Sequence, residues 1–261
     1  MVTRTPLMAG NWKMNFDHLQ SIAFVQKLAW TLKDGKHDFG AVEVAVFPPF
    51  TDLRSVQTLV DADKLKIAYG GQDLSPHESG AYTGDISGRF LSALGCRYVL
   101  VGHSERRTLH GETDEICRDK VAAAARSGLV PVLCVGETSE DLEAHGAAAV
   151  PVSQLRAALE GNDAVTELVI AYEPVWAIGS GEAATPEQAQ TVCRALRETL
   201  AELRGDDMAG DTRLLYGGSV KASNVVGFMR EPDIDGALIG GASLKIDEFS
   251  AIVRYRQHVG S

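Results

Sequence analysis

Short, mostly apolar runs recur along the chain, each ending in polar residues or glycine and each followed by a stretch of helical periodicity. There are eight of them, at residues 7–10, 42–47, 66–71, 98–102, 130–135, 167–170, 213–216 and 236–239. They lack the apolar/polar alternation of a strand with one wet face, and this is typical of parallel strands covered by helices on both faces. The pattern therefore predicts eight parallel strands alternating with helices.

Eight such units close naturally into an α/β fold of the (β/α)8 type, the TIM barrel. The competing architecture is a doubly wound open sheet, which would leave the eighth strand as a very apolar edge. The 261 residues could also form two small domains, but no Pro/Gly/Ser-rich linker divides them. We therefore expect one barrel domain over residues 1–261.

Capping residues indicate where several of the helices begin. An amphipathic stretch runs from about residue 17 to 33, and Thr51 and Asp52 stand as caps after the second run. A later helix is predicted to start near Thr185, which precedes a proline, and another at about Lys221.

Charge and cysteine content exclude several classes of protein. A net charge of -10 and a pI near 5.2 argue against a nucleic-acid-binding or anionic-membrane-binding surface. There is no apolar signal segment at the N-terminus and no run of transmembrane length. The four cysteines form no C-x-x-C pair and no cluster with histidine, so we expect buried thiols, a reducing compartment, no metal site and a cytoplasmic location. They are Cys96, Cys117, Cys134 and Cys193.

The sixth run leads into Glu173 and then into Pro174, which ends any strand pairing by removing a donor. A loop that is apolar in its middle, with proline at one end and glycine at the other, suits a lid that shuts out water. Its residues are Pro174, Val175, Trp176, Ala177, Ile178, Gly179, Ser180 and Gly181. Under such a lid, Glu173 would be desolvated, its pKa would rise and it would become a stronger base toward carbon acids. The alternative is a solvated strand-end charge followed by a plain Gly-Ser-Gly turn.

A closed barrel gathers the residues at its strand ends around one mouth. Lys13 is the only basic residue at a strand end and is the natural partner for an anion. His103 precedes the first turn of a helix, whose N-terminus disfavours imidazolium, so we expect a neutral ring that donates a hydrogen bond. Glu105 serves equally well as a helix cap or as a partner for Lys13. Asn11 and Glu173 complete this set.

Glycines follow the seventh and eighth strands, at residues 217–218 and 240–241. Free backbone N–H groups and a helix N-terminus can hold a phosphate there without arginine, and barrels commonly place phosphate at these strands. Gly179 could add another donor. The alternative is that tight turns simply need glycine, but finding them after two successive strands favours the phosphate site.

No nucleophile is assembled, since the chain has no G-x-S-x-G, Walker or H-E-x-x-H motif. The remaining set is a carboxylate base, a histidine donor, a lysine and a phosphate cradle. Such a set suits proton abstraction next to a carbonyl, with His103 and Lys13 holding the enediolate oxygen. A lid would protect this intermediate from losing its phosphate in water.

These residues stand within motifs that resemble the triosephosphate isomerase family nearly from end to end. The matching segments lie at residues 10–15, 101–107, 171–181, 184–186, 216–220 and 240–244. Several independent motifs in the same order make chance agreement implausible.

The resemblance implies interconversion of dihydroxyacetone phosphate and D-glyceraldehyde 3-phosphate, in glycolysis or gluconeogenesis, without metal or organic cofactor. It implies that Glu173 is the base, that His103 is the electrophile, and that Lys13 and Asn11 bind substrate and enediolate. The phosphate contacts would come from Gly179, Ser219, Gly240 and Gly241. The supporting residues would be Ser104, Glu105 and Tyr216.

The family is also similar in forming a homodimer. By this resemblance, the loop of residues 72–88 would dock into a partner near Met14, and its tip would be formed by Tyr82, Thr83 and Gly84. From the sequence alone, this loop could equally pack on its own barrel. Two residues depart from the usual family pattern. Ser180 replaces a frequent threonine and keeps the hydroxyl, while Asp73 replaces a frequent asparagine and could alter local pKa values or dimer contacts.

Two rival functions stay open at this point. Another phosphate-binding barrel, such as a sugar-phosphate isomerase of amino-acid biosynthesis, would need different acid–base pairs at the strand ends. A non-catalytic scaffold would be favoured by loss of Lys13, His103 or Glu173, and all three are present.

Overall fold

Eight parallel strands form a closed barrel in the computed structural model, which describes residues 4–177 and 183–258. The strands are β1 (Leu7–Asn11), β2 (Glu43–Phe47), β3 (Ala68–Gly71), β4 (Tyr98–Val101), β5 (Val130–Val135), β6 (Val169–Tyr172), β7 (Arg213–Tyr216) and β8 (Gly236–Ile239). Each strand pairs with the next, and β1 also pairs with β8, from Leu7 beside Gly236 to Gly10 beside Ile239. The predicted barrel is confirmed, and the open sheet is excluded because β8 has a neighbour on each side.

The helices follow the strands and cover the outside of the barrel. They are α1 (His18–Asp34), α2 (Leu53–Asp63), α3 (Gly88–Ala93), α4 (Ser104–His110), α5 (Asp114–Arg126), α6 (Ser139–His145), α7 (Ala149–Leu159), α8 (Pro186–Arg204), α9 (Asp206–Asp211), α10 (Val225–Phe228) and α11 (Ile246–Val253). Short 3-10 helices are Phe50–Asp52, Val175–Ala177, Gly241–Leu244 and Tyr255–His258.

Two apolar layers explain why the strands show no polar alternation. Leu7 and Ala9 of β1 belong to the cluster inside the barrel, whereas Met8 between them packs in the layer shared with the helices. Because a strand sends successive side chains to opposite faces, both sets must be apolar when both faces are buried.

Three of the predicted helix starts are confirmed, and one is wrong. Asp17 caps α1, and Thr185 caps α8 with a proline at its first position. The helix α2 begins at Leu53, directly after Asp52, as predicted, but the Asp52 side chain makes no capping bond. Its buried carboxylate instead accepts a hydrogen bond from Ser21 Oγ at 2.7 Å. No helix begins at Lys221, because α10 starts at Val225 and spans only four residues.

All four cysteines are buried and free of disulfides. Burial raises the pKa of the Cys96 thiol to about 12 and that of Cys117 to about 11. Among the described residues, no helix has the length and apolar character needed to cross a membrane. That residues 1–261 form a single domain stays a prediction.

Candidate active site

A cavity of about 630 Å³ opens at the carboxyl ends of the strands, where the sequence predicts the site. Asn11 and Lys13 reach it from β1, His103 from β4 and Glu173 from β6. Its other lining residues come mainly from the segments after β7 and β8. They are Ala177, Gly217, Gly218, Ser219, Val220, Lys221, Leu238, Gly240, Gly241, Ala242, Lys245 and Glu248.

Glu173 directly follows β6, and its side chain is almost completely enclosed. Its backbone N–H donates to the carbonyl of Val135 at 2.8 Å, and the residue is 2% exposed. Residue 136 is glycine for a steric reason, because a Cβ there would lie 1.8 Å from the carbonyl oxygen of Glu173. The ends of β5 and β6 can therefore approach closely enough to fix the backbone from which the Glu173 side chain extends.

His103 stands between β4 and α4 as the N-cap of that helix, and it is 6% exposed. Its Nδ1 accepts a hydrogen bond from the backbone N–H of Glu105 at 3.2 Å, so the ring proton is on Nε2. Nε2 lies 2.9 Å from Oε1 of Glu173. The other carboxylate oxygen, Oε2, accepts from the N–H of Ser104 at 2.9 Å. The geometry thus holds a neutral imidazole that donates to the carboxylate.

The pKa shifts of this pair run opposite to those expected from the sequence. Burial alone would raise the pKa of Glu173, but contact with His103, the Ser104 N–H and the charge of Lys13 together lower it. Burial likewise lowers the pKa of His103, yet Glu173 and Glu105 raise it above its ordinary value. The predicted upward shift at Glu173 is therefore wrong. The helix N-terminus beside His103 is present, but a carboxylate in direct contact outweighs it.

Lys13 is held at the mouth by contacts of both its backbone and its side chain. Its Nζ lies 2.6 Å from Oε1 of Glu105, and its N–H donates to Oδ1 of Asn11 at 3.0 Å. Glu105 is therefore the partner of Lys13, whereas the cap of α4 is His103. The carbonyl of Lys13 accepts a hydrogen bond from Gln72, which was not among the predicted site residues.

The predicted phosphate-binding residues Ser219, Gly240 and Gly241 line the same cavity. Gly240 lies beside the lysine side chain, since a Cβ at this position would be in ordinary van der Waals contact with Lys13 Cε, at 3.5 Å. Gly179 lies outside the described residues. Tyr216 is buried below these turns and stacks on Phe228 with the ring centroids 4.0 Å apart.

The first part of the predicted lid is anchored to Glu137, which follows β5. Trp176 Nε1 donates to Glu137 Oε1 at 2.7 Å, and the Tyr172 hydroxyl donates to the same oxygen at 2.9 Å. The N–H of Val175 donates to the Glu137 carbonyl at 3.1 Å. The remaining lid residues, Ile178, Gly179, Ser180 and Gly181, lie outside the described part of the chain. Glu137 was not among the predicted site residues, although its place at a strand end was the available signal.

The predicted dimer loop projects from the barrel beyond β3. Residues 78–85 are exposed, and the ring of Tyr82 stacks on His77 with the centroids 3.8 Å apart. The base of the loop is closed by a hydrogen bond from Ser75 Oγ to Asp85 at 2.6 Å. Tyr82 is 44% exposed and Met14 is 96% exposed. Two apolar side chains of the predicted interface therefore face outward.

Asp73 takes part in a network of charges behind the mouth and makes no ion pair with Lys13. Its carboxylate lies 2.6 Å from Lys120 Nζ and 3.0 Å from a guanidinium nitrogen of Arg106. Both cations also contact Glu112. The extra anion at this position is therefore matched by cations of the same chain.

The chain is similar over nearly its whole length to known proteins of one family. The sequence profile of the family described as "Triosephosphate isomerase" matches residues 6–256. The chain is 70% identical over 256 residues to a triosephosphate isomerase of Leifsonia xyli subsp. xyli, covering 98% of this chain and 99% of the relative. It is 58% identical to that of Streptomyces coelicolor, covering 98% and 99%. It is 54% identical to that of Mycobacterium tuberculosis, covering 96% of each chain.

Proposed function

The chain belongs to the triosephosphate isomerase family, and on that premise we propose which of its side chains carry out the reaction. The enzyme interconverts dihydroxyacetone phosphate and D-glyceraldehyde 3-phosphate by proton transfer through an enediolate. One observation carries the assignment of roles: the 2.9 Å contact between Glu173 and His103 in a cavity that Lys13 also lines.

Glu173 is the base that moves the proton between the two reacting carbons. It takes a proton from the carbon next to the substrate carbonyl, the C–H electron pair forms the enediol double bond, and the same carboxyl returns a proton to the neighbouring carbon. A substrate that takes over the Nε2–H of His103 removes the contact that most strongly lowers the pKa of Glu173. The remaining effect of burial then raises this pKa, so Glu173 becomes a stronger base when substrate binds.

His103 is the hydrogen-bond donor to the carbonyl oxygen on which negative charge develops. Its Nδ1 is occupied as an acceptor from the Glu105 N–H, so Nε2–H is the donor that can face substrate. The ammonium of Lys13 stabilises the same developing charge, and Asn11 supports it by accepting the Lys13 N–H.

The substrate phosphate binds at the segments after β7 and β8. Ser219, Gly240 and Gly241 line this end of the cavity, and we assign Gly179 to the same group from its place in the lid motif. Backbone N–H groups there can hold a dianion without a bound counter-ion. Ser104 and Tyr216 support the site, the former through its N–H bond to Glu173.

Residues 174–181 close over the bound triose as a lid. Its first turn, residues 175–177, is docked on Glu137, which holds the Glu173 end of the lid in place. Excluding water protects the enediolate from losing phosphate.

A second copy of this chain is the partner that the loop of residues 72–88, exposed over residues 77–85, fits. Tyr82 at its tip and Met14 near the mouth are apolar and exposed, as surfaces covered in a dimer are. We place the homodimer in the cytoplasm as one barrel domain per chain. Four reduced, buried cysteines are consistent with this compartment.

A coupled assay in both directions tests the function. Purified protein should convert each triose phosphate into the other, and in deuterated water the product should carry deuterium at the carbon that receives the proton from Glu173. Absence of conversion at high enzyme concentration would overturn the assignment.

A further inference from the structure

The backbone of Lys13 has a conformation that L-residues rarely adopt. Its φ is +53°, in the left-handed region, and a lysine there costs free energy that a glycine would not. A strained residue keeps such a conformation only when its surroundings fix it. The contacts that fix Lys13 therefore decide where its ammonium points.

Gln72 provides the contact on the carbonyl side of this residue. Its Nε2 donates one hydrogen bond to the carbonyl of Lys13 at 2.7 Å and a second to the carbonyl of Phe47 at 2.8 Å. Phe47 is the last residue of β2, so one amide group joins the chain after β1 to the end of β2. On the other side of Lys13, its N–H donates to Asn11.

Gln72 is itself held firmly. It follows β3 immediately, and the next residue, Asp73, pairs with Lys120 of α5 and with Arg106 of α4. The two side chains thus tie the end of β3 to Lys13 on one side and to the helices behind His103 on the other. An amide anchored in this way can impose a conformation on the peptide that it contacts.

We propose that Gln72 is a positioning residue for the reaction, which holds the strained backbone of Lys13 so that the ammonium faces both Glu105 and the cavity. This inference rests on the role proposed above for Lys13. Without the two donated hydrogen bonds, Lys13 relaxes to an ordinary backbone conformation and its Nζ leaves the substrate site. Gln72 acts only through Lys13 and touches no substrate.

Two variants of Gln72 and a matched control test this proposal. Gln72→Met keeps the length and removes both donors, and Gln72→Asn keeps an amide but is one methylene too short. Each should lower kcat/KM at least about tenfold, since a displacement of about 1 Å in a catalytic group can cost about a hundredfold. Each should also weaken binding of inorganic phosphate, measured by calorimetry. The control is Gln190→Met, which removes a two-bond contact to Asp233 away from the mouth and should change neither value more than twofold.

A double-variant cycle separates positioning from a general structural role. In a Lys13→Met background, Gln72→Met should cause no further loss of phosphate binding or of kcat/KM, because its effect passes through Lys13. An additional loss of the same size in that background would overturn the proposal, as would unchanged kcat/KM in both single variants. Thermal unfolding identifies a variant that fails to fold, and Gln72→Asn then carries the test.

The phosphate-binding measurement keeps this inference distinct from the proposed function. If the wild-type protein did not isomerise triose phosphates, the proposed function would fail, whereas calorimetry would still show whether Gln72 controls the anion affinity of Lys13.

Discussion

The imidazole of His103 and the carboxylate of Glu173 are in direct contact, with Nε2 and Oε1 2.9 Å apart inside the barrel mouth. The proton donor and the base of the reaction therefore reach the same point in space before any substrate group comes between them. Against the effect of burial, Glu173 raises the pKa of His103, and His103 lowers the pKa of Glu173. Exchange of this contact for substrate contacts is the event that prepares the base.

Replacing Glu173 with glutamine should abolish base catalysis while leaving the site assembled. The amide oxygen can still accept from the Ser104 N–H, so phosphate binding should persist, whereas turnover should fall by at least ~10². Steady-state kinetics and phosphate inhibition measure the two effects. Glu198→Gln, a change on the exposed face of α8, serves as the control. Turnover near that of the wild type would remove Glu173 from its role.

Replacing His103 with asparagine should separate catalysis from helix capping. Asparagine is a good N-cap and can accept from the Glu105 N–H, so thermal stability should stay close to that of the wild type. Its side chain is too short to donate to the substrate carbonyl, and kcat should fall about 10²-fold. Paired measurements of kcat and Tm test this. A large fall in Tm with kcat retained would contradict it.

The stability that Glu112 contributes should be lost as the pH falls. Burial alone would raise its pKa, but Lys120 and Arg106 outweigh burial and lower it. A carboxylate with a lowered folded-state pKa stabilises the protein above its unfolded pKa, and this stabilisation is lost as pH falls through the folded value. Glu112→Gln should therefore lower the free energy of unfolding at pH 7 by about 2 kcal/mol. The loss is not larger because Lys120 still has Asp73 as a partner.

Urea denaturation of both proteins across pH measures this difference. The difference in the free energy of unfolding between wild type and Glu112→Gln should stay constant from pH 7 down to near 4.5, the ordinary pKa of glutamate. Below that pH the difference should shrink. A difference that grew on acidification would contradict the assigned role of the ion pairs.

Asp73→Asn should lower the free energy of unfolding much less than Glu112→Gln does. Burial, together with the charge of Glu112, raises the pKa of Asp73 although Lys120 and Arg106 act to lower it, so the charge at this position is costly to hold. The asparagine oxygen can still accept from Lys120, and the free energy of unfolding at pH 7 should change by less than about 1 kcal/mol. The same urea titration measures it. A loss larger than that of Glu112→Gln would show that Asp73 is the main anion of the network.

The mass in solution tests the proposed dimer. Light scattering should give twice the chain mass of 27.9 kDa. The double variant Met14→Asp, Tyr82→Asp places two charges in the proposed interface and should shift the mass to that of a single chain. Trp30→Asp changes an exposed aromatic residue on α1 and should leave the dimer intact. A wild-type protein of single-chain mass would exclude the dimer.

The sequence was sufficient to predict the barrel because a strand that is buried on both faces appears as a continuous apolar run. The bounds predicted for β5, β7 and β8 agree with the structure, whereas β3 starts two residues later than its apolar run. The strand-end rule then brought Lys13, His103 and Glu173 together correctly, since parallel strands in a closed barrel place their ends around one opening.

Features that depend on distant contacts were not predictable in the same way. The direction of the Glu173 pKa shift follows from two donors some seventy residues earlier, Nε2 of His103 and the N–H of Ser104. The roles of Gln72 and Glu137 depend on hydrogen bonds to chain segments far away in sequence. A local pattern contains no information on such partners. Lys221 shows the opposite case, in which local helix signals suggested a start that the structure does not have.

Because Cys96, Cys117, Cys134 and Cys193 are all buried, the native protein should react only slowly with thiol reagents. A single cysteine introduced at an exposed position outside the proposed dimer interface, such as Ser153 on α7, would react with maleimide dyes far faster than these four. Fluorescent reporters can thus be attached at chosen sites without first removing any natural thiol.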